Sequence, residues 1–408
     1  MKIAEAPAEE EMTATGSLLT GLECRACCTT LPANRPVGSC PTCGHTLFAT
    51  YDLDGGRALE LLEHFRARPA TLWRYRELLP VQDEGQIVTL GEGGTPILKL
   101  AEIPEVPGVE VWLKDDGQMP TGSFKARGMA VAVSRARELG LQSLYVPSAG
   151  NAGLALAAYG ARAGIPVRIY LPESTAPELR RTCRAYGAEV IAVTGTIREA
   201  GEAARSRERT SGAFDMSTLR EPYRVEGKKT MGLEIFDQLT AAGMPDVIVY
   251  PTGGGTGLVG MHKAFQELRR LGLLETEPRL IAVQTEGCAP VVRALKEGEP
   301  KIRPWENPHT VAAGLLVPAP FSSERILEAV RDSRGTGVVV PDQALPTAME
   351  QLALRHGVST CPEGAATYAA LPRLVSEGTI RGGERVLLYN TGSGAMWDTE
   401  KVRESVRN

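Results

Sequence analysis

Apolar and polar positions along this chain fall into two alternating kinds of segment. Short runs that are apolar almost throughout are VEVWLK (109–114), SLYVPS (143–148), VRIYLP (167–172), EVIAVT (189–194), DVIVYP (246–251), LIAVQT (280–285) and RVLLYN (385–390). Between them lie longer amphipathic, alanine-rich stretches, with helices predicted over 154–163, 177–186 and 257–271. Strands covered on both faces lose the in–out alternation of a half-exposed sheet, so such runs predict parallel strands flanked by helices. From about Ile87 onward the succession reads as βαβ units, and the predicted fold class is α/β with mainly parallel sheets. Ahead of it come a helix-like stretch over 58–79 and a short-looped segment, LECRACCTTLPANRPVGSCPTCGHTLFATYDL. No repeat of fixed period and no low-complexity tract interrupts the pattern.

Composition narrows the function classes. The chain of 408 residues is long for one core, so two lobes and a small appendage are expected. Its 45 basic and 49 acidic side chains leave a net charge of −4, which gives no reason to expect nucleic acid or an anionic membrane as partner. The opening MKIAEAPAEEEMTATG is acidic and lacks an apolar core, so it reads as a frayed tail rather than a signal peptide. No apolar run approaches the ~20 residues of a membrane span, and a cytoplasmic protein is expected.

Cysteines are the first chemical signal. Of eight, five crowd into one segment, and two knuckles, Cys24-x-x-Cys27 and Cys40-x-x-Cys43, stand twelve residues apart. Each tight turn brings two thiolates to one side, and four satisfy a tetrahedral ion. In a reducing compartment such crowding argues for metal before disulfide, with zinc, or iron in its place, as a closed structural site. The alternatives are a ribbon that persists without metal, or adventitious disulfides. Cys183, Cys288 and Cys361 read as small buried apolar residues.

Three glycine-rich loops follow predicted strands: PSAGNAG (Ser148, Gly150, Asn151), PTGGGTGL (Gly253, Gly254, Gly255, Thr256, Gly257) and NTGSG (Thr391, Gly392, Ser393, Gly394). In open α/β sheets, ligands sit beyond the carboxyl ends of the strands. Backbone N–H groups at a helix start bind anions, and glycine lets the backbone approach a phosphate ester closely. The rival dinucleotide reading uses Gly255, Gly257 and Gly260, but no acidic residue about 20 positions on completes it. A fourth motif, PTGSFKARG, sets Lys125 at a loop-to-helix junction behind Phe124, with little acid beside it. A lysine there, with an anion site, is what pyridoxal phosphate needs: an amine for the aldehyde and a loop for the phosphate. Free lysine has a pKa of about 10.4, so desolvation and neighbouring positive charge are required to keep it nucleophilic.

PTGSFKARG, PSAGNAG, EPYRVEGKKTMGLEIFDQL, PTGGGTGL and NTGSG occur in the order seen in threonine synthases, and the chain resembles that family of fold-type-II pyridoxal phosphate enzymes from about Leu22 onward. The cysteine segment ahead of GEGGTP resembles the family's N-terminal region. The resemblance implies that Lys125 forms the Schiff base, Asn151 meets the cofactor's ring hydroxyl, Gly253 to Gly257 hold its phosphate, and Thr391 faces the pyridine nitrogen. It implies an amino-acid substrate, O-phosphohomoserine, contacted by Ser148, clamped by Arg224 and assisted by Lys229, and a homodimeric assembly. It also implies two open parallel-sheet lobes with the cofactor in the cleft. The expected division is a tail over 1–18, a zinc-ribbon-like segment over 19–55, a large lobe from 56–127 and 219–408, and a smaller mobile lobe over 128–218.

Several positions depart from the family pattern: Ala126 stands where Asp is common, Ala152 where Thr is common, and Thr218–Leu219 where an Asn-Ser pair is common. The phosphate loop, all Gly and Thr, lacks the frequent Asn. SAGNAG and SFKARG also resemble pieces of threonine and serine ammonia-lyases, which eliminate water from the β carbon. Cysteate synthase, acting on O-phosphoserine, is a further related possibility. A non-catalytic reading has the ribbon bind nucleic acid or a partner, but only Arg25 and Arg35 are cations between Cys24 and Cys43. His262 and His309 read as packing or surface groups, Glu363 as a helix-start acid, and Glu92 as a residue that need not face the site.

Overall fold

The computed structural model describes residues 16–53 and 56–406. In chain order the strands are β1 (Leu19–Glu23), β2 (Thr30–Leu31), β3 (Phe48–Tyr51), β4 (Ile97–Lys99), β5 (Glu110–Asp115), β6 (Leu144–Pro147), β7 (Val167–Pro172), β8 (Glu189–Val193), β9 (Phe214–Asp215), β10 (Val247–Pro251), β11 (Arg279–Thr285), β12 (Thr336–Val340) and β13 (Arg385–Asn390). The seven predicted runs all form strands, each end within a residue of its expected position. They divide between a six-stranded sheet, β12-β11-β10-β13-β5-β4, and a four-stranded sheet, β8-β7-β6-β9, built wholly from residues 144–215. Every pairing in both is parallel except β4 with β5. β10 and β13, in the middle of the larger sheet, are buried at all or nearly all positions, which is why their sequences carry no alternation. β1, β2 and β3 form a separate antiparallel sheet in the cysteine segment.

The helices used below are α1 (Ala58–Ala67), α2 (Lys125–Glu138), α3 (Asn151–Ala163), α4 (Pro177–Ala185), α5 (Ile197–Glu208), α6 (Tyr223–Leu239) and α7 (Thr256–Arg270). Their ends follow local chemistry. α4 opens on Pro177, whose missing N–H has no partner to lose there, and α3 stops at Gly164 with φ +70°. A reciprocal Thr196–Glu199 capping box starts α5. The helix-like stretch over 58–79 is not one helix. Pro69 forces Arg68 into extended backbone, so α1 ends there and a separate 3-10 turn covers Leu72–Leu78. Of the expected tail, residues 1–15 lie outside the described residues, whereas Leu18 N–H donates to Glu77 O at 2.9 Å. Asp54, near the end of the expected ribbon, also lies outside them.

α6 defies amphipathic periodicity: Arg224, Glu226, Lys228, Lys229 and Glu234 are all buried. It survives because Glu226, Lys229 and Glu234 are ion-paired, while Lys228 and Arg224 donate to backbone carbonyls. Arg127 on α2 holds Asp116 through Nε (2.8 Å) and Nη2 (2.7 Å), and Glu234 through Nη1 (2.6 Å), while Lys114 Nζ reaches Glu234 at 2.8 Å. Thus Arg127 is committed to the interior. Such close crossing of α2 and α6 needs Gly227, where an added Cβ would stand 2.0 Å from Arg127 O. Gly227→Ala is therefore expected to destabilise the fold by roughly 3 kcal/mol, read from chemical denaturation, because backbone cannot yield as a side chain can. Among the described residues, no helix is long and apolar enough to cross a membrane.

Candidate active site

Lys125 is the first residue of α2, as its loop-to-helix setting predicts. Ahead of it, Thr121 (φ +62°) and Gly122 (φ +69°) turn the chain sharply so that Ser123 pairs with Gly392 in an antiparallel bridge. Phe124 N–H then donates to Thr391 O at 3.0 Å, and Ser393 N–H to Gly122 O at 2.8 Å. The lysine loop and the C-terminal glycine loop, some 270 residues apart, are thereby locked together. The middle glycine loop joins through aromatic contact: the Phe124 and Tyr250 rings pack edge-on at 6.3 Å, and Tyr250 precedes the 252–257 loop by two residues. The asparagine loop arrives through α3, which packs on the 120–122 turn.

Lys125 is partly exposed, with Nζ 4.1 Å from the centre of the Phe124 ring. Desolvation, and then the nearby Arg224 guanidinium, bring its pKa down to about 7, against the opposing pull of Glu363 and Cys361. This is the environment a nucleophilic amine requires. Arg224 is itself buried: Nη1 donates to Met216 O at 2.5 Å, while Nε is buried without a partner among the described residues. The hydroxyls of Thr121, Ser123 and Thr360 are also buried without partners, and Thr360 bridges to Ser393. Unsatisfied buried polar groups gathered at the junction of loops fit a polar ligand there.

At α7 the first residue whose amide reaches a backbone acceptor is Val259, bonded to Gly255 O at 3.1 Å, so the amides before it lack helical partners. The glycines of this loop divide by role. A Cβ on Gly253 would meet Gly314 O at 2.1 Å, and one on Gly257 would meet the Tyr250 hydroxyl at 2.0 Å. Those two are demanded by packing, as are Gly255 (φ +69°) against Ile326 and Gly260 against Lys228, which accounts for the dinucleotide-like spacing. Gly254 is the open one, its nearest neighbour being Thr218 Cγ2 at 3.4 Å. A helix N-terminus with free amides and one uncrowded glycine fits the phosphate of pyridoxal phosphate. Thr391 presents a hydroxyl, 3.8 Å from Cys361 Sγ, and no carboxylate.

Other expected residues lie elsewhere or turn inward. Ser148 Oγ accepts from Gly153 N–H at 3.0 Å and Gly150 N–H at 3.3 Å, shaping its own loop, while Asn151 begins α3 and is partly exposed. Lys229, expected beside the substrate, points the other way: its Nζ lies 2.9 Å from Glu226 and 2.8 Å from Glu267, over the Tyr51 ring. One residue earlier, Lys228 faces the site, donating to Phe124 O with Nζ 4.0 Å from the ring centre. A helix turns about 100° per residue, and nothing in the paired lysines of EGKKT says which one the turn presents. Cys361 is buried as read, yet its thiol reaches the Thr391 hydroxyl, a contact across 30 residues without a local signal. Glu92 is wholly interior, accepting from Trp73 Nε1 at 2.8 Å and the Tyr159 hydroxyl at 2.7 Å. Glu363 sits in the first turn of the helix Pro362–Ala369 and accepts from Gly314 N–H at 2.6 Å. His262 is buried, its pKa lowered to about 4 by desolvation, and His309 is exposed.

In the N-terminal segment, the Sγ atoms of Cys24, Cys27, Cys40 and Cys43 all lie within 4.8 Å of one another. Two of their separations, 3.4 Å for Cys24–Cys43 and 3.6 Å for Cys27–Cys40, approach the edge of a tetrahedron drawn with ~2.3 Å metal–sulfur bonds. The fifth cysteine, Cys28, is exposed and outside the group.

Comparison with known proteins agrees with this geometry. The family model described as "Pyridoxal-phosphate dependent enzyme" matches residues 88–392. A threonine synthase of Methanosarcina acetivorans is 36% identical over 374 residues, 91% of each chain. A threonine synthase of Methanocaldococcus jannaschii is 34% identical over 385 residues, 94% of each. Among solved structures, the processed form of threonine deaminase isoform 2 from Solanum lycopersicum superposes with a TM-score of 0.67 at 21% identity, covering 86% of this chain and 94% of that one. That likeness is one of fold, whereas the family match spans Lys125, the first two glycine loops and the start of the third. The chain belongs to the pyridoxal-phosphate dependent enzymes, on the fold-type-II architecture, and is similar along most of its length to threonine synthases.

Proposed function

We propose that this chain is a threonine synthase, converting O-phosphohomoserine and water to threonine and phosphate. One observation carries the reading: a buried arginine, Arg224, stands close enough to Lys125 to depress its pKa. The amine that the chemistry needs and a guanidinium suited to a departing phosphate therefore share one enclosure. Similarity to relatives named threonine synthase supports it.

Bound at Lys125 and the α7 start, pyridoxal phosphate supplies an aldehyde that takes up amines and a ring that accepts charge from neighbouring carbon centres. The chain's residues supply the rest. Amides ahead of Val259 would hold the cofactor phosphate, and Asn151 would meet the ring hydroxyl. Thr391 would offer the ring nitrogen a neutral hydroxyl in place of a carboxylate, a setting that would favour elimination. Lys125 Nζ, with a pKa of about 7, takes protons from the substrate's α and β carbons and returns them at the α and γ carbons. Arg224 holds the phosphate as it leaves the γ carbon, and water adds at the β carbon. Incubation of the purified enzyme with O-phosphohomoserine is expected to release phosphate. Production of 2-oxobutanoate from threonine, with no phosphate release from O-phosphohomoserine, would mark an ammonia-lyase instead.

Zinc is the ion we propose for Cys24, Cys27, Cys40 and Cys43, since four thiolates in a closed set suit a structural site. Elemental analysis is expected to find about one zinc per chain, lost in Cys40→Ser together with an early melting step for the ribbon.

A further inference from the structure

The ribbon and Arg224 are linked by a loop that both of them touch. Residues 216–222 run from the end of β9 to the start of α6, and Leu219 in their midst has a left-handed backbone, φ +59°. A leucine there is strained, so its neighbours must hold it. The hold comes from the ribbon: Thr46 Oγ1, buried, donates to Leu219 O at 2.6 Å. The ribbon backbone lies against the next residue as well, since a Cβ on Gly38 would stand 3.1 Å from Arg220 O. A third tie runs through α2, where Arg135 Nη2 donates to Ala33 O at 2.7 Å and its guanidinium stands over the Tyr223 ring.

The other side of the same loop faces the site. Met216 O accepts from Arg224 Nη1, and the Glu221 carboxylate accepts from the Tyr223 and Arg224 amides at 2.7 and 3.0 Å. Thr218 is the nearest neighbour of Gly254, the uncrowded glycine of the phosphate loop. One short loop, set from outside by the ribbon, thus sets Arg224 from inside.

We propose that Thr46 is a positioning residue for substrate phosphate binding, acting through Leu219 and the 216–222 loop on Arg224. The ribbon is then part of the specificity apparatus as well as a folded appendage. The inference rests on the reading of Arg224 as the phosphate clamp. Misplacing a charged donor by a fraction of an ångström weakens a bidentate contact without touching the proton-transfer groups.

The test uses the cofactor-loaded enzyme, with inorganic phosphate as calorimetric probe and KM for O-phosphohomoserine as second readout. Thr46→Val keeps the shape and removes the donor. It is expected to weaken phosphate binding and raise KM by about tenfold, the size of one lost hydrogen bond, with kcat within about twofold. Thr46→Ser restores the hydroxyl and is expected to restore both values. Gly38→Ala, which presses on Arg220 O without altering any polar group, is expected to raise KM in the same sense and serves if Thr46→Val does not fold. In an Arg224→Lys background, Thr46→Val is expected to change phosphate affinity by less than about twofold, because the two act in series. If Thr46→Val and Gly38→Ala lower only the melting temperature while Arg224→Lys does lose phosphate, the ribbon is a support alone and the inference fails. If Arg224→Lys itself binds phosphate normally, the clamp reading is wrong and the inference falls with it.

Discussion

Lys125→Ala is expected to lower turnover by roughly 10³-fold or more, because the variant loses both the anchoring amine and the proton carrier. Lys125→Arg is expected not to rescue it, since a guanidinium is permanently charged and cannot attack an aldehyde. Borohydride reduction of the loaded enzyme followed by peptide mapping should place the adduct on Lys125. The informative rival is Lys228, which shares the Phe124 ring at 4.0 Å against 4.1 Å for Lys125. Its burial lowers its pKa too, but its amine is spent on the Phe124 carbonyl. An adduct on Lys228 would overturn the assignment. Only the neutral amine attacks, and the Lys125 pKa is about 7, so cofactor uptake by the apoenzyme should accelerate as pH rises through about 7. Absorbance at the cofactor band follows this without any turnover.

Arg224→Gln is the second large effect. The substitution leaves a neutral hydrogen-bonding amide at about the depth of Nε and removes the buried cation. KM for O-phosphohomoserine is expected to rise by about 10²-fold, the scale of a lost charge-assisted bidentate contact. The same change should move Lys125. Arg224 is the largest electrostatic contributor to its lowered pKa, after desolvation, so removing the positive charge favours the ammonium form. The pKa rises, and the pH at which apoenzyme uptake accelerates moves upward from about 7. A variant whose KM rises while the uptake profile stays put would place Arg224 on the substrate but away from the amine. An unchanged KM would remove the phosphate clamp altogether.

Much of this was written in local pattern. Strands β5, β6, β7, β10, β11 and β13 were legible because each carries four to seven consecutive residues of which most are buried, and burial on both faces leaves an apolar run; β8, with no fully buried residue, was legible from its apolar β-branched composition alone. β4 and β9 were not, because three and two residues give no pattern to read. Lys125 was legible because a lysine after a glycine-hydroxyl turn, with other glycine loops at strand ends, has few uses. Arg224 was reached only through resemblance. On the same helix, one residue's rotation decides whether Lys228 or Lys229 meets the site, and it sends Lys229 to Glu226 and Glu267.

Sequence alone determined the α/β class, the longer strands, the cysteine quartet and the glycine loops, because each is set by composition and spacing over a few residues. Tertiary structure decided which of two adjacent lysines meets Phe124, that Cys361 meets Thr391, and that Arg127 is bound inward while Arg224 keeps a free edge. It also decided that Thr46, 173 residues before its acceptor, holds the loop beneath Arg224. Contacts across such separations follow from how helices and sheets pack and from which buried charges find partners. No window of neighbouring residues encodes either.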